Sequence, residues 1–300
     1  MKIYSTNTSS LVEVAEKQFK LEREIQDLFE ANLNTIMGLT LVRSEFTIKS
    51  KRIDTLAFDE QTKAFIIIEV KRDKNSSVVD QGFSYLKLML ENKADFIIEY
   101  NERLKKSLQR NDVDWTQTRV AFVSPGFTEN QVLATDFKDI AIELWEVKRY
   151  ANNTVVINQL KKSRGAESIK PLTQQNKELQ RIADEIVVYT EEQHLEGIDE
   201  GIVELYEKYK NAILNLTDGI DIKPQKYYLA FKKGTNIVDI AIYKKALKVW
   251  INAKIGTLDD SKKLARNVKE IGHRGNGDYE LNIDSDKDLE YVMSLIKQVL

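Results

Sequence analysis

Three residues set the chemical question. Asp54 lies within an apolar stretch, fourteen residues follow it, and then comes Glu69-Val70-Lys71. A carboxylate in an apolar run is costly to bury unless it is paired or holds a metal. Glu69 and Lys71 are two apart, so on a strand both side chains project to one face. If a hairpin brings Asp54 beside Glu69, two carboxylates and the Val70 carbonyl make a set suited to a hard divalent cation, Mg2+ or Mn2+. Such an ion neutralises charge on a phosphoryl group and makes a water nucleophilic at neutral pH, as phosphodiester hydrolysis requires. A neighbouring lysine can orient that water or stabilise developing charge. The bland alternative is a surface salt bridge at strand ends, because Asp-x(n)-Glu-x-Lys is a loose pattern.

These residues need strands to carry them. Ala64–Val70 is a short β-branched run of the kind buried on both sheet faces. Leu41–Ile48 and Ile53–Asp59 read as strands joined by Lys49-Ser50-Lys51-Arg52. Val12 to Met37 reads as helix, since Phe19, Leu21, Ile25, Leu28, Phe29, Leu33 and Ile36 recur near a 3.6 period, with Gly38 as its stop. Val78–Asn92 reads as a second helix, and Phe96–Tyr100, Arg119–Ser124 and Ile142–Val147 as further strands. This order predicts an α/β layer with a mixed sheet over residues 1–150.

Ala151 to Lys177 is polar, contains Ser163-Arg164-Gly165 and Lys170-Pro171, and reads as a linker. Glu178–Tyr189 and Ile198–Leu216 read as connecting helices, so 151–219 joins two domains. Residues 220–300 then form a smaller α+β domain, with strands at Tyr227–Lys232, Ile237–Tyr243, Leu247–Asn252 and Tyr279–Ile283 and helices at Ser261–Lys269 and Lys287–Val299.

Arg52-Ile53-Asp54, a spacer and Ile67-Ile68-Glu69-Val70-Lys71 resemble the core of the PD-(D/E)XK nuclease superfamily, with Ile53 where the name has proline. The resemblance implies a restriction-endonuclease-like mixed sheet flanked by helices. It implies Asp54 and Glu69 as metal ligands and Lys71 beside the attacking water. It also implies an acidic residue on the preceding helix; Glu22 and Glu24 both lie there, and Glu24 in Glu24-Ile25-Gln26 fits that slot better. Asp80-Gln81-Gly82-Phe83-Ser84-Tyr85 resembles the Gln-x-x-x-Tyr motif of RecB-like members, adding Gln81 and Tyr85, which are i and i+4 on one helix. For that pair the alternative is ordinary packing against the sheet. Residues 220–300, with Gly272-His273-Arg274-Gly275-Asn276-Gly277-Asp278, resemble an uncharacterised domain that recurs downstream of such nucleases.

Composition narrows the classes. The chain has 300 residues and a net charge of -2, which argues against a histone-like coat of nucleic acid. The balance is uneven: residues 221–300 hold 15 Lys/Arg and 11 Asp/Glu, a net of +4. There is no cysteine, so disulfides and thiolate metal sites are excluded and a cytoplasmic location is expected. No stretch approaches a membrane span, and Met1–Thr8 shows no apolar signal core. His194 and His273 are the only histidines, one read as exposed helix and one as loop, which suits Mg2+ or Mn2+ better than zinc. Lys51 and Arg52 are candidates for phosphate contact, with a solvated turn as the equal alternative. Gly275-Asn276-Gly277 is a turn signal, with a phosphate-cradling loop as a weaker reading. Trp115, Trp145 and Trp250 read as core anchors.

The expectation is a magnesium-dependent endonuclease acting on nucleic acid, DNA first, with a homodimer conceivable. The alternative is a module that keeps the nuclease fold without turnover and serves nucleic-acid binding or assembly.

Overall fold

The computed structural model describes residues 2–6, 10–72, 77–163 and 165–300. Met1, Asn7 and Thr8 of the segment read for a signal core, and Arg164 of the expected linker, lie outside them. The chain divides into two compact units, Met1–Val188 and Tyr189–Leu300.

The first unit opens with a hairpin of β1 (Ile3–Ser5) and β2 (Val12–Val14), then helices α1 (Glu22–Ala31) and α2 (Leu33–Met37). Strands β3 (Thr40–Ile48), β4 (Lys51–Asp59) and β5 (Ala64–Val70) follow, then helices α3 (Val78–Glu91) and α4 (Lys93–Leu104). Next come β6 (Arg119–Ser124), α5 (Glu129–Thr135), β7 (Ile142–Arg149), β8 (Val155–Leu160), α6 (Lys170–Thr173) and α7 (Lys177–Glu185). The sheet runs β3-β4-β5-β6-β7-β8. It is mixed: β5, β6 and β7 are mutually parallel, and the other neighbours are antiparallel.

Strand β5 sits inside this sheet because its seven residues are all buried. One face packs Phe65 and Ile67 with Leu56, Phe58, Phe122 and residues of α3 and α4. The other packs Ile66, Ile68 and Val70 with Ile25 and Phe29 of α1 and Met37 of α2. Removing one such side chain from water contributes roughly 1.5–3 kcal/mol, so a two-faced β-branched strand has no competitive alternative.

Four element readings change. Val12–Met37 is not one helix: Val12–Val14 pairs with the first strand, and helix begins only at Glu22, where the buried Ile25/Phe29 spacing starts. Gly38 does end α2, at φ 68°. Phe96–Tyr100 is helix, not strand, because the buried residues are Phe96, Glu99 and Tyr100, at i, i+3 and i+4, while Ile98 is 54% exposed. The stretch 151–177 includes β8, an edge strand whose apolar run Val155-Val156-Ile157 is at most partly buried, and α6, with Pro171 in its first turn. Ser261–Lys269 forms turns and a two-residue strand rather than helix: it buries only Val268, and Asp260 holds Ala265 N at 2.7 Å.

The second unit contains α8 (Glu191–Leu195), α9 (Glu200–Leu214), strands β9 (Asp221–Pro224), β10 (Leu229–Lys233), β11 (Thr235–Tyr243), β12 (Ala246–Ile251), β13 (Arg266–Asn267) and β14 (Tyr279–Ile283), and α10 (Leu289–Ile296). Its sheet is antiparallel, in the order β13-β14-β12-β11-β10-β9. Helices α9 and α10 bury one face against Leu229, Phe231, Ile240, Val249 and Leu281. Among the described residues no helix is long and apolar enough to cross a membrane.

Candidate active site

The β4–β5 pairing carries Asp54 to Glu69. Thr55 is opposite Ile68, so Asp54 and Glu69 are the next positions on the two strands and share a face. Asp54 Oδ2 accepts a hydrogen bond from Val70 N at 2.9 Å. Burial raises the Asp54 pKa to about 6, helped by the like charges of Glu69 and Glu45, while Val70 N–H and the Lys71 ammonium pull it down.

Glu69 is 5% exposed. Its Oε1 accepts from Lys71 Nζ at 2.9 Å and from Gln81 Nε2 at 2.7 Å. Its Oε2 is buried and has no hydrogen-bond partner. A buried carboxylate oxygen in that condition costs desolvation energy that a cation or a water can relieve. Asp54 and Glu69 therefore offer adjacent oxygens with a reason to bind a positive ion. Mg2+ is commonly held by one or two carboxylates and completes its shell with water, so this donor set fits it. Among the described residues no group of three or more His, Cys, Asp or Glu side chains is placed to hold a metal.

Helix α3 supplies the rest of the arrangement. Ser77 caps it, accepting from Asp80 N. Gln81 bridges Glu69 Oε1 and the Tyr85 hydroxyl, the latter at 3.2 Å, and Tyr85 donates to Arg52 O at 3.3 Å. Burial and the Glu69 charge push the Tyr85 pKa up, so it remains a protonated donor at neutral pH. The helix comes this close because residue 82 is glycine: a Cβ there would lie 2.4 Å from Ile142 Cδ1.

The opposite face is held by α1. Gln26, buried, directs its Nε2 to Asp54 O at 2.8 Å, to Glu30 Oε1 at 3.0 Å and to Ser44 Oγ at 3.2 Å. It thus fixes the backbone of Asp54 rather than its carboxylate. Glu24, the expected helix carboxylate, is not brought to Asp54 and Glu69. It pairs with Arg149 at 2.8 Å and accepts from Lys20 N. Glu22 instead accepts from Arg72 N at 2.8 Å, one residue beyond Lys71. A one-turn helix start with two glutamates two apart sends them to different neighbours, which their spacing alone did not resolve.

Arg52 is engaged by Glu45 at 2.9 Å, and Glu45 also meets Arg23 at 3.4 Å. Glu45 lies between the Ser44↔Thr55 and Phe46↔Ile53 pairs, opposite Asp54, at φ 53°. Neither Glu45 nor the anchoring role of Gln26 was read from the sequence. Hairpin register could have found Glu45, since residues equidistant from the turn face one another. His194 is not simply exposed: its Nε2 sits 2.7 Å from Gln225 O, and burial lowers its pKa. His273 is in a loop, with Nδ1 near Ile271 O.

A protein of Haemophilus influenzae (strain ATCC 51907 / DSM 11121 / KW20 / Rd) carrying the name "Uncharacterized protein" is 54% identical over 300 residues, which is 100% of this chain and 99% of that one. The chain belongs to that protein's family. Residues 191–298 match a family described as "Domain of unknown function (DUF5655)" and lie within the second unit. Among solved structures, a repair endonuclease from Pyrococcus abyssi is 19% identical, with 40% of this chain and 44% of that one aligned at a TM-score of 0.23. EndoMS in complex with double-stranded DNA is 17% identical, with 43% and 57% aligned at a TM-score of 0.26. The chain spans about half the length of these two structures, and at such TM-scores neither likeness bears on what it does.

Proposed function

We propose that the first unit is a metal-dependent nuclease of the PD-(D/E)XK type that hydrolyses phosphodiester bonds, with DNA as substrate. The observation that carries this reading is Glu69: a buried carboxylate with one oxygen held by Lys71 and Gln81, the other without a partner, and Asp54 beside it. Asp54, Glu69 and the Val70 carbonyl would hold Mg2+ or Mn2+. The bound ion supplies charge neutralisation at the phosphoryl group and lowers the pKa of a water.

The chain's own groups have separable tasks. Lys71 holds its ammonium against Glu69 and orients the attacking water. Gln81 and Tyr85 fix the Glu69 carboxylate, and Gln26 fixes the strand beneath Asp54. Glu22, rather than Glu24, serves as the helix carboxylate, because it reaches the backbone just past Lys71.

A plasmid-nicking assay with Mg2+ and with Mn2+ tests this on the wild type, Asp54→Ala, Glu69→Ala and Lys71→Ala. Loss of nicking of at least about a hundredfold in each variant is expected. Equal rates in wild type and Asp54→Ala reject the assignment. A second reading, nucleic-acid binding without turnover, is favoured by the two-carboxylate donor set among the described residues. Calorimetric Mn2+ binding that vanishes in Glu69→Ala, together with nicking, decides for the enzyme.

A further inference from the structure

The β3–β4 hairpin runs past the site described above. Counted on from the Thr55↔Ile68 pair, β5 ends at Val70 opposite Ile53. Arg52, Lys51 and the turn at Lys49-Ser50 therefore extend beyond the last residue of β5, at the end of the sheet that holds Asp54, Glu69 and Lys71. At about 3.3 Å per residue, Lys51 lies roughly 10 Å along the strand from Asp54. That is roughly three nucleotide steps at about 3.4 Å each.

Apolar side chains hold the hairpin in place. Phe46, Ile48 and Ile53 are buried, and the Phe46 ring meets Phe96 of α4 edge-on at 5.6 Å. The Tyr85 hydroxyl, already tied to Glu69 through Gln81, donates to Arg52 O. The exposed residues of the tip are basic: Lys49, Lys51 and Arg52 all face solvent. Among the described residues neither lysine has an ion pair. The apolar anchor accounts for the hairpin's position without these three side chains, and a solvated turn needs no particular sign of charge.

Of the three cations, Arg52 has a counter-charge, and it comes from a strained position. Glu45 Oε2 lies 2.9 Å from Arg52 Nε, and Glu45 Oε1 lies 3.4 Å from a terminal nitrogen of Arg23, which also pairs with Asp27. Glu45 holds φ 53°. Among the described non-glycine residues with positive φ it is the one inside a strand, the others lying in turns, loops or at a helix end. Such backbone costs on the order of 1–3 kcal/mol and persists only where its surroundings enforce it. Here it sets a carboxylate against two guanidiniums beside Asp54. Arginine grips carboxylate and phosphate with the same fork of donors, so a phosphate can take the place Glu45 fills.

We infer that Lys49, Lys51 and Arg52 form an arm that grips the sugar–phosphate backbone of the strand entering the site, and that Glu45 stands in for that phosphate on Arg52 until the strand arrives. Contacts of this kind fix the register of a nucleic acid without reading its sequence. When phosphate takes Arg52, Glu45 keeps Arg23 as its partner. The identity of the polyanion rests on the nuclease reading. Binding measured without metal tests the arm apart from cleavage.

The test is fluorescence anisotropy of a labelled DNA duplex with the full chain in EDTA over a range of salt. Lys49→Ala, Lys51→Ala and Arg52→Ala should each weaken binding roughly three- to tenfold and lower the slope of log affinity against log salt by about one. The triple variant should lower that slope by about two or more. Glu45→Gln should tighten binding roughly two- to fivefold, since phosphate no longer displaces a carboxylate from an exposed pair. The same charge change at Glu270, exposed in the second unit, should alter affinity by less than about twofold. A triple variant with wild-type affinity and slope overturns the arm, as does a wild type that does not bind the duplex. A Glu45→Gln variant that binds more weakly, or changes no more than Glu270→Gln does, overturns the stand-in. If the slope falls in the variants while the wild type nicks nothing with Mn2+, the arm stands and the nuclease reading falls.

Discussion

Gln81 Nε2 donates to Glu69 Oε1 at 2.7 Å, tying helix α3 to the end of the most deeply buried strand. The bond exists because Gly82 lets the helix approach Ile142. Helix position and carboxylate orientation are therefore one variable.

Gly82→Ala should separate them. The new Cβ would meet Ile142 Cδ1 and Cγ1 at 2.4 and 2.9 Å, in a site where Ile142 is fully buried. Overpacking of this kind costs about 1–3 kcal/mol and moves backbone. Thermal melts should show that loss, and nicking should fall by at least about tenfold as Gln81 leaves Glu69. Adding Ile142→Val removes Cδ1 and should recover part of both. Wild-type nicking in Gly82→Ala alone would contradict the coupling.

Asp54 gives a pH dependence to the metal-free protein. Its pKa in the fold, about 6, lies above the free value of 3.8. The folded state thus holds the proton more tightly, so this group's stabilising contribution is present at low pH and is lost as pH rises from about 4 to 6. The rise from 3.8 to about 6 corresponds to at most about 3 kcal/mol, less for partial solvent access. In EDTA, Asp54→Asn should lack this slope and melt above wild type at neutral pH, with the gap closing toward about pH 4. Metal competes with the same proton, so Mn2+ should raise the wild-type Tm at neutral pH far more than at about pH 5. A gap that does not change with pH would contradict the assignment.

The legible parts of the molecule are those where one sequence pattern has one physical outcome. Ala64–Val70 could only be a strand with both faces covered, and its end placed Glu69 and Lys71 together. Gln81 and Tyr85, one turn apart, could only share a helix face. Phe96–Tyr100 was not legible, since five residues rich in Phe and Ile fit either period and the exposure of Ile98 decides. Glu45 escaped notice because its place opposite Asp54 follows from the hairpin register, which was not counted from the turn, and its positive φ is not written in its residue type. The turn at Gly275-Asn276-Gly277 was read from its residue types, but its anchor was hidden, since Asp239 lies 37 residues away from Asn276 in the chain.

At the far end of the same sheet, Arg119 is buried between Asp59 at 3.1 Å and Glu143 at 2.9 Å. Burial works against its charge, but Glu143 and Asp59 outweigh it and raise the Arg119 pKa. Arg119→Met would leave the buried Asp59 and the partly buried Glu143 without their shared cation and should cost about 3–5 kcal/mol in denaturant melts. Adding Asp59→Asn and Glu143→Gln should recover most of it, with the turn bonds from Gln61 N and Thr62 N to residue 59 retained. An Arg119→Met variant as stable as wild type would mean that the pair contributes nothing.

The two helix glutamates should behave differently. Glu24 pairs with Arg149 at a partly exposed site, so Glu24→Gln should cost less than about 1 kcal/mol and leave the nicking rate within about threefold. Glu22 accepts from Arg72 N beside Lys71, so Glu22→Gln should reduce nicking by at least about tenfold with little change in Tm. Glutamine still offers Arg72 N a carbonyl acceptor, so the helix start should hold and the lost quantity is the negative charge. Rates measured across Mn2+ concentrations locate that charge. A deficit that saturating Mn2+ restores places it in metal affinity, and one that persists places it in the chemical step. The reverse pattern, with Glu24→Gln inactive and Glu22→Gln active, would return the role to Glu24 and require α1 to rotate from the position its contacts with Arg72 and Arg149 define.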